Sequence, residues 1–190
     1  MARPRQFDEE RAVDAAMRAF LGSGYEATST QDLCTATGLG RSSIYNTFTS
    51  KHHLFKKSLR HYMDIRTAGI LETLEGPAPV REKIGTLMRQ AVEPRDGLPR
   101  GCLVVNTMIE LAPHDAEVAA MLKRDYARRL EALRAAIEAG KISGELAADK
   151  DATALAHFVI ASISGIQVSL RGGAGPAAAQ AIIQTALGAF

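Results

Sequence analysis

The sequence predicts an all-α protein of about nine helices. Three observations carry this. Val and Ile fall inside patterns of period 3.6 and not in alternating runs. The apolar stretches are long enough for helices of several turns. Glycine and proline punctuate them at intervals.

Asp8 reads as the cap of the first helix, followed by Glu9 and Glu10 near its positive end. Val13, Ala16, Met17 and Phe20 form one face, and Gly22 and Gly24 end it. Thr28 or Ser29 caps a short second helix that stops at Thr37-Gly38. Gly40 loosens the turn before a third helix, Arg41 to Phe48. Ser50 caps the fourth, which runs from Lys51 towards Leu74. Glu75-Gly-Pro-Ala-Pro breaks the chain, and a fifth helix follows from Pro79 to Val92. Residues 94–99 read as a loop. The sixth helix, Gly101 to Leu111, is almost wholly apolar and is expected to be central. The seventh, Asp115 to Ala139, is amphipathic, with Val118, Met121, Leu122, Tyr126, Leu130, Leu133 and Ile137 inward. The eighth spans Lys150 to Leu170, and the ninth starts at Pro176 after a glycine-rich break.

The 190 residues suffice for one or two domains without staples. Cys34 and Cys102 lie far apart and make no disulfide framework, which fits a reduced, cytoplasmic setting. No signal peptide is recognised. Only Ala152 to Leu170 approaches a membrane span, and its His157, Ser162, Ser164, Gln167 and Ser169 make it read as a buried helix, so no membrane partner is expected. Residues 1–60 carry nine Lys/Arg against six Asp/Glu, a net charge of +3, while the rest is net −1. The basic excess therefore accompanies the first helices and suits phosphate contact.

Residues 28–51 have the grammar of a helix-turn-helix: a capped helix, a glycine turn, and a second helix that presents polar groups. Leu33, Ala36, Leu39, Ile44 and Phe48 join the two helices to the first. Arg41, Ser42, Ser43, Tyr45, Asn46 and Thr47 remain on the outer face. Arg is shaped for a bidentate contact to guanine and Asn for one to adenine, while hydroxyls suit phosphate. Lys51 adds a cation beside the backbone N–H groups of a helix start, and Thr30 and Gln31 are placed to reach the flanking backbone.

The stretch from Phe20 to Phe55 resembles the N-terminal domain of the TetR/AcrR family of bacterial transcriptional regulators. The matching residues are Gly24-Tyr25, Thr28, Leu33, Ala36, Gly38, Leu39, Ser43-Ile44-Tyr45, Phe48, Ser50-Lys51 and Leu54-Phe55. Gly40 departs from the pattern, which often has a polar residue there. Beyond this stretch the likeness is one of layout. The resemblance implies a DNA-binding domain over residues 1–52 and a helical ligand-binding and dimerisation domain over 53–190. It implies a homodimeric, usually repressing regulator of double-stranded operator DNA that a small molecule, here unidentified, releases. It maps the DNA contacts onto Thr30, Gln31, Arg41, Ser42, Ser43, Tyr45, Asn46, Thr47 and Lys51.

In the last two helices small residues alternate with apolar stripes, and Phe158, Ile163, Ile166, Ile182, Ile183 and Leu187 are the expected dimer contacts. Two recognition helices would then meet half-sites about 34 Å apart on a pseudo-palindromic operator. Polar or soft residues on apolar faces are the ligand candidates: Tyr62, Met63, Arg66, Met88, Asn106, Met108, Tyr126 and His157, with Glu110 beside them. Cys102, after Arg100-Gly101 at a helix start, offers an alternative in which an oxidant or electrophile gates the regulator. No metal site is expected, because His52, His53 and His61 form no ligand set, and no cofactor is expected either. No nucleophile elbow, phosphate-cradling glycine loop, zinc-protease motif or paired-carboxylate site occurs, so an enzyme is not expected.

Overall fold

In the computed structural model, residues 3–93 and 101–190 are described, with side chains from Glu9 onward. The described residues form nine helices and no strand. These are α1 (Arg3–Ser23), α2 (Thr30–Thr37), α3 (Arg41–Phe48), α4 (Lys51–Glu75), α5 (Val80–Gln90), α6 (Leu103–Glu110), α7 (Ala116–Ile142), α8 (Ala152–Arg171) and α9 (Pro176–Leu187). The expected loop at 94–99 lies outside the described residues. Asp8 is not a cap, because α1 begins five residues earlier, at Arg3.

The chain divides into two compact units. The first holds α1–α3, α4 as far as Ile65, α6, and α7 as far as Leu122. Its core joins Phe20, Leu33, Ile44, Phe48 and Phe55 to Leu103, Val104, Leu111, Val118 and Leu122. Packing therefore does not divide at residue 52, where the sequence reading placed the boundary. Leu54, Phe55, Leu59, Tyr62 and Met63 all bury in the first core, so the leading half of α4 belongs there.

The second unit holds the rest of α4 and α7 together with α5, α8 and α9. Ile84, Met88, Ile137, Ala156, Val159, Ile166 and Ile183 are central to its core. On α7 the Asp125 carboxylate is buried, 5% exposed, and fully engaged. It accepts from Thr67 Oγ1 of α4 at 2.9 Å and from Arg129 Nε at 2.9 Å. A buried charge needs such partners.

Two expectations of burial fail. α6 is apolar, yet Met108 is 37% and Ile109 71% exposed, because only the Leu103, Val104 and Thr107 face packs inward. α8 has the length and mean hydropathy (1.5) of a membrane span, but only 22% of its apolar window is buried within the chain. Ala154, Phe158, Ala161, Gly165 and Val168, spaced three or four apart, lie exposed along it.

Candidate nucleic-acid interface

The local sequence builds the helix-turn-helix from both ends. Ser29 caps α2 with a reciprocal box: its Oγ accepts from Asp32 N–H at 3.1 Å, and the Asp32 carboxylate accepts from Ser29 N–H at 2.8 Å. The same carboxylate takes the Ser29 hydroxyl at 2.7 Å, and these bonds hold the Asp32 carboxyl below its usual range. Gly38 closes α2 at a left-handed φ of 70°. α3 then starts at Arg41 and buries only Ile44 and Phe48. The opposite face is left with Arg41, Ser42, Ser43, Tyr45, Asn46 and Thr47, all exposed.

This face is ordered by its own contacts. Tyr45 Oη stands 3.5 Å from Thr30 Oγ1, and the Arg41 guanidinium lies 5.8 Å from the Tyr45 ring centre. The Thr30 hydrogen bond, then Arg41, lowers the Tyr45 phenol from its ordinary value. Gln31 is exposed and Thr30 half-buried beside them. α3 ends in a tight turn at Thr49, whose φ of 65° is rare for a β-branched residue; Ser50 N–H closes the turn on Phe48 C=O at 2.6 Å. Ser50 Oγ then accepts from His53 N–H at 3.0 Å and caps α4. Lys51, the first residue of α4, places its Nζ 4.4 Å from the Tyr25 ring centre.

Part of the basic charge of residues 1–60 is matched within the fold. Lys56 pairs with Glu117 at 2.6 Å and Lys57 with Glu9 at 2.6 Å. His52 Nε2 stands 3.0 Å from Asp115, and His61 Nε2 stands 3.7 Å from Asp14. These side chains tie α4 to α1 and to the α6–α7 corner, whereas Arg41 lies exposed on the polar face itself and Lys51 opens the helix that follows it.

Two family models match the chain. One, bacterial regulatory proteins of the tetR family, covers residues 12–57; the other, tetracyclin repressor-like C-terminal domain, covers 80–186. The chain belongs to the TetR family. It is a DNA-binding transcriptional regulator and not an enzyme. Curated TetR-type relatives include the HTH-type transcriptional repressor ComR of Escherichia coli, 32% identical over 90% of this chain and 83% of that protein. The HTH-type regulator YezE of Bacillus subtilis is 33% identical over 84% of each chain. Among solved structures, a cysteine mutant of the TetR family regulator CifR, complexed with 26-bp operator DNA, superposes with a TM-score of 0.85 at 32% identity, covering 99% of this chain and 100% of that one.

The TetR ligand and dimer candidates separate by environment. Tyr62 and Met63 are buried in the first unit's core, where they serve packing. Met88, fully buried, does the same in the second. Asn106 lies in the first unit with a buried amide nitrogen that has no hydrogen-bond partner, and Met108 on the same helix is exposed. Arg66 is half-buried on α4. Tyr126 and His157 are joined, Oη to Nδ1, at 2.6 Å with their rings stacked 5.9 Å apart, so each already has a partner. Cys102 is the residue preceding α6, half-buried against the first core. Phe158 faces outward at 41% exposure, and Ile163, Ile182 and Leu187 are half-buried. Ile166 and Ile183 are corrections to the expected dimer set: both bury in the chain's own core, because a helix stripe has two apolar flanks and theirs points inward. Val168, 51% exposed, lies outward on the same stripe as Phe158. Among the described residues no cluster of His, Cys, Asp and Glu is arranged to hold a metal.

Proposed function

We propose that this regulator is a cytoplasmic homodimeric repressor that leaves a pseudo-palindromic operator when a small molecule binds its C-terminal half. The observation that carries the DNA contacts is the division of α3: Ile44 and Phe48 bury while Arg41, Ser42, Ser43, Tyr45, Asn46 and Thr47 stay exposed. Thr30, Gln31 and Lys51 flank that face and supply the phosphate contacts. The unpartnered stripe on α8, with Phe158 and Val168, supports a second copy as its cover. ComR and the repressor DhaR of Mycobacterium are named repressors, which favours repression over activation.

Release follows from population shift. α4 and α7 each run without a break from one unit into the other. A ligand that prefers one arrangement of these helices shifts the protein towards it, by no more than its differential affinity. Selection of duplexes from a random pool, followed by footprinting, tests the reading: two half-sites about one turn apart are expected. Binding unaffected by either Tyr45→Ala or Lys51→Ala would remove the assigned face. Release by the small molecule should persist in Cys102→Ser. Release by peroxide or quinone that disappears in that variant would replace the reversible ligand with thiol chemistry.

A further inference from the structure

Glu110, the last residue of α6, reaches across the first unit to the α1–α2 turn. Its Oε2 accepts from the Tyr25 backbone N–H at 2.7 Å, and the two residues are 85 apart in sequence. The carboxylate occupies the place where a side chain at Gly24 would begin, and Gly24 itself holds a left-handed φ of 84°. The turn is thus shaped to admit this one acid. Tyr25 then has a second task. Its ring is the surface on which the Lys51 ammonium rests, 4.4 Å from the ring centre. Phe55 and His52 bound the ring edge-on at 4.8 and 6.0 Å, and Phe20 stacks at 6.1 Å. His52 is in turn held at 3.0 Å by Asp115, from the same α6–α7 corner as Glu110.

We infer that Glu110 is a positioning residue for operator binding: by fixing the Tyr25 backbone it sets the aromatic platform that aims Lys51 at a phosphate. The inference rests on the reading of Lys51 as a phosphate contact. A cation on a stem of four methylenes loses much rotamer freedom when it binds, and a ring held in place beforehand removes part of that cost. On this proposal Glu110 contacts the Tyr25 backbone and not the phosphate itself. Its effect must therefore pass through Tyr25 and be absent when Lys51 has no charge to aim.

A double-mutant cycle on the full-length dimer tests this, with the tightest duplex selected from a random pool by the unmodified protein as probe. Lys51→Met is expected to weaken binding about tenfold and to lower the salt slope by about one per subunit. Glu110→Ala is expected to weaken it about fivefold, while Glu110→Gln, whose amide oxygen still accepts from Tyr25, recovers most of that loss. The Glu110→Ala, Lys51→Met pair should bind no more weakly than Lys51→Met alone. A loss in the pair equal to the product of the single losses overturns the role of Glu110 and leaves Lys51 in place. Lys51→Met with unchanged affinity and salt slope overturns both. Should Glu110→Ala unfold, Glu110→Asp, which withdraws the acceptor by one methylene, takes its place in the cycle and is read the same way.

Discussion

The hydroxyls of Thr30 and Tyr45 stand 3.5 Å apart, so the first residue of α2 and the middle of α3 meet on the exposed face of the helix-turn-helix. With Arg41 alongside the ring, Tyr45 becomes a titratable part of that face. Its phenol ionises below the ordinary value of about 10. A phenolate next to DNA repels phosphate. Operator affinity should therefore fall as pH rises towards the phenol range, and Tyr45→Phe should flatten the fall. A pH profile of binding that is identical in the two proteins would show that another group is responsible.

The Ser29–Asp32 box predicts a pH-dependent stability difference. Ser29→Ala removes the cap and should cost about 1 kcal/mol near neutrality by urea unfolding. The folded Asp32 carboxyl lies below its unfolded value, chiefly through the Ser29 hydrogen bonds. Its contribution is thus present above the unfolded pKa and lost as pH falls through the depressed one. The gap between wild type and Ser29→Ala should narrow in that acid window. A gap that stays constant would assign the whole effect to the neutral cap.

Two positive-φ positions predict opposite outcomes. Gly24→Ala meets both a left-handed backbone and the Glu110 carboxylate, and should cost about 2 kcal/mol or more. Thr49→Gly relaxes a β-branched residue at φ 65° and should gain about 0.5–1 kcal/mol. Thermal unfolding distinguishes them by sign.

The buried Asp125 predicts a steep asymmetry. Asp125→Ala leaves the Arg129 guanidinium, itself only 14% exposed, without its counter-charge, and should cost about 3–5 kcal/mol. Thr67→Val removes one neutral donor to the same carboxylate and should cost about 1 kcal/mol. Equal losses in denaturant unfolding would place the energy in the Thr67 bond instead.

Phe158→Arg puts a charge on the exposed stripe of α8 and should shift sedimentation towards the monomer without lowering the helical content. Ile166→Val, within the chain's own core, should cost about 1 kcal/mol of stability and leave the oligomeric state unchanged.

The helix-turn-helix was legible because its signals are local. Ser29, Gly38, Arg41, Phe48 and Ser50 each mark a cap, a turn or a buried face within one or two helical turns of one another. The contact of Glu110 with Tyr25 was not legible, since 85 residues separate the partners and neither has a local pattern that names the other. The same distance hid the first unit's true extent: apolarity marks α6 as packed but does not say against what. Charge pairing is hidden for a related reason. Lys56 and Lys57 enter the sequence only as part of the basic count of residues 1–60, and only the fold brings Glu117 and Glu9 to them. Periodicity locates the apolar stripes of α8 and α9 but not which flank of each turns inward, so it does not separate Ile166 and Ile183, which bury in the chain's own core, from the outward residues.

Those internally matched lysines bear on how the protein searches a chromosome. Attraction to random DNA scales with the phosphates a surface can neutralise, and every wrong site competes with the operator. With Lys56 and Lys57 taken up by Glu117 and Glu9, the surface keeps fewer free cations than its composition provides. On the proposal that Arg41 and Asn46 read base edges, residence on unrelated sequence should shorten and a larger share of the binding energy should depend on those two contacts. On the same proposal, the acids that brace α4 would sharpen discrimination by matching two cations within the fold.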